Sequence, residues 1–174
     1  MANFKEAFDR TLTYEGGWCN VEGDPGGETY CGIAKNYHKN WDGWVIVDSY
    51  KPLKTNQIIK DEKLDALLES FYKTQFWDKI IGDHILSQRT ADLFFDWYVN
   101  SGSPAIKHLE YIIGHSNKNI FDETDVKLLN LSDEAKVFNA YKQSRKQFII
   151  DIIKAHPTFS KFEKGWNNRI DKFI

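Results

Sequence analysis

The stretch ILSQRTADLFFDWYVNSG, residues 85–102, constrains the fold more than any other part of the chain. Between Leu93 and Val99 it is apolar on nearly every side of a helical wheel. A surface helix carries one apolar stripe, whereas a helix apolar all round belongs in an interior. The run is too short to cross a bilayer, which takes roughly 20 apolar residues, and no other stretch reaches that length. Residues 85–102 therefore read as a central buried helix stopped by Gly102. Asp96 lies inside it, and a buried carboxyl needs a partner; Arg145 and Arg169 are the candidates.

Other apolar residues at helical spacing supply the elements around it. Phe4, Ala7, Phe8, Leu12 and Tyr14 predict a helix over 3–14, ended by Gly16 and Gly17 in the left-handed conformation. Ile58, Ile59, Leu64, Leu67, Leu68 and Phe71 predict a helix from Thr55 that continues through Phe76 and Trp77. Ser103 and Pro104 read as the cap and first-turn proline of a helix running to Gly114. Residues 115–123 read as polar loop, and 133–155 as a long helix broken by Pro157. Phe159, Phe162, Trp166, Ile170 and Phe173 mark a last short helix over 159–173, with Trp166 in the core. WDGWVIVDSY, within residues 34–55, fits an irregular stretch or a short strand. The expectation is a mainly α fold: one domain over 1–174, with a small N-terminal lobe and a C-terminal helical lobe sharing a cleft.

Charge narrows the function classes. The net charge is -2 at pH 7, and residues 1–100 carry 11 Lys/Arg against 16 Asp/Glu while residues 101–174 carry 12 against 9. Neither half has the strong basic excess of a nucleic-acid binder. The opening MANFKEAFDRTL has no apolar signal-peptide core, so synthesis in the cytoplasm is expected. Cys19 and Cys31 are the only cysteines; without a leader they read as free thiols rather than a bridge. No CxxC, zinc spacing or EF-hand occurs, and no cofactor or metal is expected. The histidines at 38, 84, 108, 115 and 156 show no ligand spacing.

One segment breaks the helical pattern. YEGGWCNVEGDPGGETYCGI, residues 14–33, holds six of the eleven glycines and four acids, and reads as turns with a small hairpin. Glu15 falls at the end of the first helix, Asp24 nine residues later and Thr29 after a glycine pair. Glycosidic hydrolysis needs such a set: one acid protonates the leaving oxygen, and a second group orients water or stabilises positive charge at the sugar carbon. Burial of Glu15 against Tyr14 and Trp18 would favour its protonated form, and glycine backbone N–H groups with solvent would keep Asp24 ionised. Thr29 could hold the attacking water. A Glu before GG and a DPGG turn are also ordinary structural features. A calcium loop from Glu22, Asp24 and Glu28 lacks the regular ligand order, and a phosphate loop lacks its GK[ST] ending.

These residues resemble the opening motif of the glycoside hydrolase family 108 lysozymes, the bacterial and phage N-acetylmuramidases that include proteins labelled secretion activators. The match runs through Glu15-Gly16-Gly17, Asp24-Pro25-Gly26-Gly27-Glu28-Thr29 and Gly32-Ile33. It continues at Phe76-Trp77, Phe95-Asp96, Val99-Asn100-Ser101-Gly102, Arg145 and Phe162 to Arg169. The resemblance implies a lysozyme-like helical fold and peptidoglycan as substrate, with Glu15 as catalytic acid and Asp24 and Thr29 as water holders. It further implies inversion at the sugar carbon, for which the two carboxyl groups should stand about 6.5–9.5 Å apart. Two segments depart from the family's peptidoglycan-binding part. Leu109–Gly114 has Glu110 where the family has Gln, and Asn117–Thr124 lacks the family's glycines. Both weaken the implication of an accessory wall-binding role.

Outside the three catalytic candidates, Trp18, Trp41 and Trp44 lie in irregular segments and are the candidates for a sugar-stacking surface. Tyr98 is a candidate wall residue, and Asn100 a candidate contact for an N-acetyl group. The expected partner is the glycan strand, met as a monomer in the periplasm or at the wall after release by a holin or export system. The rival readings are a non-catalytic wall-binding or secretion-accessory protein and a lytic transglycosylase, which would not need Asp24 or Thr29 to hold water.

Overall fold

A computed structural model describes residues 1–115 and 119–174. Asn117 and Lys118, part of the departing segment above, lie outside the described residues. Two compact units divide the chain: residues 8–74, and residues 1–7 together with 75–174. The described residues are mainly α-helical, with eight α-helices and one three-stranded antiparallel sheet.

The smaller unit takes up the chain within α1 (Phe4–Leu12) and carries β1 (Trp18–Cys19), β2 (Thr29–Tyr30), β3 (Ile33–Ala34), α2 (Gly43–Ser49) and α3 (Glu62–Tyr72). Helix α1 stops at Leu12, so Glu15 lies in the turn beyond it, with its N–H donating to the Leu12 carbonyl at 3.1 Å. Gly16 and Gly17 are not the left-handed stop expected of them: neither has positive φ. Gly17 is required by crowding instead, since a Cβ there would stand 2.4 Å from the Gln57 carbonyl oxygen. That close approach lets Trp18 donate to Gln57 and form an isolated bridge with it.

WDGWVIVDSY contributes α2 rather than a strand. Trp44 and Val47, three apart, are the buried pair, which is helical spacing rather than strand alternation. Residues 55–61 are not helical either. Asp61 caps α3 by accepting from the Leu64 N–H at 2.9 Å, and Ile58, expected in that helix, is exposed. Tyr30, Ile33, Trp44, Val47, Ile59, Leu64 and Tyr72 form the unit's core.

The larger unit is built on α4 (Gln88–Ser101), in which every residue from Thr90 to Trp97 is buried. The all-round apolar surface of that stretch thus has neighbours on every side: α5 (Ser103–Ile112) and α7 (Glu134–Ala155) pack on α4. Helix α8 (Glu163–Asp171) packs on α7 after a 3-10 turn opened by Pro157. Gly102, with φ of +65°, ends α4 and also caps α5, so Ser103 is the first helical residue rather than the cap. Helix α6 (Glu123–Leu131), absent from the sequence expectation, starts with a reciprocal capping box between Asp122 and Asp125. Trp77 is fully buried, packs on Phe4 and Phe95, and donates its indole N–H to Asp83 at 2.8 Å. Among the described residues no helix is long and apolar enough to cross a membrane.

Candidate active site

The glycine-rich segment of the smaller unit forms two consecutive turns and a hairpin. Asp24-Pro25-Gly26-Gly27 is the residue pattern a tight turn favours, and the Gly27 N–H closes it onto the Asp24 carbonyl at 2.9 Å. The exposed Asp24 side chain is fixed from below: Oδ1 accepts from the Gly26 N–H at 2.7 Å. Thr29 follows in β2, half-buried, paired with Cys19 on one side and Ala34 on the other. Its hydroxyl lies 3.4 Å from the Gly27 carbonyl oxygen.

The two residues joining β2 to β3 are Cys31 and Gly32, both with positive φ, at 45° and 82°. A two-residue hairpin loop of this kind matches the strand twist but is strained for any residue other than glycine, asparagine or aspartate. Cys31 accepts that strain while buried, and its carbonyl accepts a 2.8 Å hydrogen bond from the Tyr72 hydroxyl of α3. The tip of this hairpin meets the Glu15 carboxyl. A Cβ on Gly32 would lie 3.1 Å from Glu15 Oε2 and 2.4 Å from the Tyr72 hydroxyl oxygen. Gly32 thus fits only as glycine, for its φ and for the two side chains against it. Burial pushes the Cys31 thiol up to about 11, with the charges of Asp65 and Glu15 adding to the shift. Cys19 and Cys31 are free thiols.

The other acid of the segment has a different task. Burial alone would raise the pKa of Glu28, but hydrogen bonds from Lys51, Trp18 and Lys35 outweigh it and hold the carboxyl below its ordinary range. Lys35 stands 3.0 Å and Lys51 2.8 Å from Glu28, and both also reach Asp48, at 2.8 and 2.6 Å. Glu28 is therefore engaged by two ammonium groups, which does not suit the calcium loop considered for Glu22, Asp24 and Glu28.

The candidate sugar-stacking tryptophans separate. Trp18 is half-buried in β1 and donates its indole N–H to Glu28 at 2.5 Å. Trp41 is half-buried and lines an open groove of about 220 Å³ with Asn40, Asp42, Ser70, Phe71 and Thr74. Trp44 is only 3% exposed and donates to the His38 carbonyl at 2.9 Å; it is a core residue with no ring face left for a sugar. The rings of Trp41, Phe71 and Tyr72 are in edge contact in sequence, so the groove wall leads to the tyrosine beside Glu15.

Tyr98 and Asn100 belong to the larger unit. Tyr98 is half-buried between Phe76 and Phe94, and burial raises its phenol. Asn100 donates to the Asp96 carbonyl at 2.6 Å. Asp96 pairs with both arginines considered for it: Arg169 Nη2 is 2.7 Å from Oδ1, and Arg145 Nη1 is 2.7 Å from Oδ2.

One cluster had no signal in sequence. Glu110, His115 and Asp125 bring ligand atoms within 4.8 Å of one another, and the His115 imidazole bonds to Asp125. The donor set of two carboxylates and an imidazole could hold a divalent cation. Spacings of five and ten residues match no metal motif. Asp125 is also committed to the α6 cap, accepting from the Asp122 N–H at 2.9 Å. Glu110 is the residue that departs from the family's Gln.

Comparison with known proteins identifies the family and the fold. No curated protein matches the chain. A solved structure described as that of Brucella abortus SagA aligns with a TM-score of 0.67 at 22% identity, over 98% of this chain and 90% of that one. At that identity the likeness speaks for the fold. The sequence profile of the family described as glycosyl hydrolase 108 matches residues 8–102. That match spans more than half of the chain and takes in Glu15, Asp24, the Thr29 strand and the Gly32 hairpin. The chain belongs to glycosyl hydrolase family 108, the lysozyme-like glycoside hydrolases.

Proposed function

We propose that the protein is an N-acetylmuramidase that hydrolyses the β-1,4 bond between N-acetylmuramic acid and N-acetylglucosamine in peptidoglycan. The observation that carries the reading is the meeting of the Glu15 carboxyl with the glycine tip of the hairpin that bears Thr29. A side chain at Gly32 would run into the Tyr72 hydroxyl and crowd the acid, so the glycine lets the hairpin pack against Glu15 and hold its carboxyl in place.

In this reading Glu15 is the general acid. Its proton passes to the glycosidic oxygen as the bond to the anomeric carbon breaks, and positive charge develops on that carbon. Asp24 acts as base. With Oδ1 held by the Gly26 N–H, the carboxylate is oriented to take a proton from water, whose other contact is the Thr29 hydroxyl. The water oxygen bonds to the face opposite the leaving group, and the configuration inverts. Trp41 and its groove supply a stacking surface for a sugar ring, and Trp18 a second one. Trp44 is left out on burial. Tyr98 and Asn100 remain proposed wall residues. Delivery to the wall by a holin or an export system belongs to the same reading.

The test is digestion of purified peptidoglycan followed by mass analysis and early-time NMR of the new ends. Hydrolytic reducing ends of muramic acid, first appearing as the α-anomer, are expected. Anhydro ends would instead identify a lytic transglycosylase, and no cleavage across several wall types a wall-binding protein.

A further inference from the structure

Two kinds of exposed aromatic side chain occur in this molecule. Phe159 and Phe162 are exposed and Trp166, expected in the core, is half-exposed; these three pack on one another in the larger unit. Tyr37 of the smaller unit is different. It is 69% exposed, and among the described residues its ring meets no other aromatic ring and its hydroxyl has no hydrogen-bond partner.

A single exposed tyrosine is ordinary on a protein surface. The place of this one is what singles it out. Tyr37 follows β3 and is fastened to the turn that carries Asp24. Its backbone N–H donates to the Ala34 carbonyl at 3.2 Å. The neighbouring Asn36 grips the turn twice: its backbone N–H donates to the Gly26 carbonyl at 3.1 Å, and its side-chain Nδ2 to the Pro25 carbonyl at 3.0 Å. A Cβ on Gly26 would lie 3.2 Å from Asp24 Oδ1 and 3.7 Å from Tyr37 Cε2. The carboxylate and the edge of the ring therefore flank the same glycine. The ring is held in place along one edge while most of its surface faces solvent.

A pyranose presents a face of C–H bonds, and the electron-rich face of an aromatic ring is its natural partner. A tyrosine whose backbone is already fixed offers that face with little side-chain freedom to lose. We propose that Tyr37 is a substrate-binding residue, its ring serving as the platform for an N-acetylhexosamine unit of the glycan strand beside the carboxylate of Asp24. This role rests on the reading of Asp24 as the base, and adds to Trp18 and Trp41 a contact next to the base itself. The platform works through the ring and not the hydroxyl, so phenylalanine or tryptophan can replace the tyrosine and alanine cannot. The ring moves no proton. It holds substrate and transition state alike, and its loss raises KM while kcat stays put.

The test compares Tyr37→Ala, Tyr37→Phe and Tyr37→Trp with the parent, each as the full chain. Affinity for the β-1,4-linked hexamer of N-acetylglucosamine is measured by calorimetry; the hexamer contains no N-acetylmuramic acid, so a muramidase has no bond in it to cut. KM and kcat are measured on soluble, uncrosslinked peptidoglycan strands. Tyr37→Ala is expected to lose about tenfold in affinity and to raise KM by a similar factor, with kcat and the unfolding temperature unchanged. Tyr37→Phe and Tyr37→Trp are expected to stay close to the parent. Parent affinity and parent KM in Tyr37→Ala overturn the proposal. So does a loss in Tyr37→Phe as large as that in Tyr37→Ala, a fall in kcat at unchanged KM, or a parent that saturates with neither ligand at millimolar concentration. The proposed function fails separately: digestion at the parent rate by Glu15→Gln removes the catalytic reading and leaves the comparison of affinities standing.

Discussion

The glycine-rich segment of the smaller unit and the centre of α4 in the larger one treat acidic residues in opposite ways. Asp96 is fully buried and stands against two guanidinium groups, so its charge is committed to holding α4, α7 and α8. Asp24 is exposed and steadied by a backbone N–H of its own turn, while Glu15 is half-buried against a glycine. The first arrangement commits a carboxyl to architecture; the second leaves the Asp24 carboxyl at the surface. Glu28 shows that position in the segment is not enough, because two lysines hold it as Asp96 is held.

Substitutions in the two regions should separate stability from activity. The largest effect is expected from Asp96→Ala, which leaves two largely buried guanidiniums without their carboxylate. A loss of about 3–5 kcal/mol by chemical denaturation is expected; a loss near zero would remove the architectural half of the comparison. Asp24→Asn should do the reverse, lowering the rate of peptidoglycan hydrolysis about 10²-fold while the melting temperature stays put. Gly17→Ala tests the segment's backbone. Its Cβ would meet the Gln57 carbonyl oxygen at 2.4 Å, and about 1–3 kcal/mol of stability should go.

The smallest effect concerns a surface pair. The Arg89 guanidinium pulls the Glu134 carboxyl from 4.5 down to about 2, with Ser87 and Thr90 assisting. A carboxyl depressed in the folded state contributes stability that is present above its ordinary pKa and is lost as pH falls through the folded one. The contribution should therefore fade between pH 4.5 and about 2. Both side chains are about two-fifths exposed, so solvent screening limits it to about 1 kcal/mol or less. Denaturation profiles of Glu134→Gln should be flatter than those of the parent over that window and coincide with them below it.

Much of the fold was legible because periodicity is a local signal. The buried α4, the long α7 and the break at Pro157 all follow from residue order. Helix α2 was not, because Trp44 and Val47 give only one helical repeat in a seven-residue element, too little to separate it from a strand. Gly16 and Gly17 have the residue pattern of a helix stop, whereas Gly17 answers to a carbonyl forty residues on, which no local pattern encodes. In the candidate site, Glu15, Asp24 and Thr29 were visible as residue types at a spacing. The irregular sequence around Trp44 points to a surface, but the helix that forms there puts it in the core. The Glu110–His115–Asp125 cluster had no sequence signal, because tertiary packing alone assembles it.

The most direct test of the account is the rate of peptidoglycan digestion by Glu15→Gln, measured beside its thermal unfolding. The substitution keeps the shape of the side chain next to Gly32 and removes its proton-donating acid. The account predicts a fall of about 10²–10⁴-fold in rate with unfolding little changed. Digestion at the parent rate by the folded variant would contradict it.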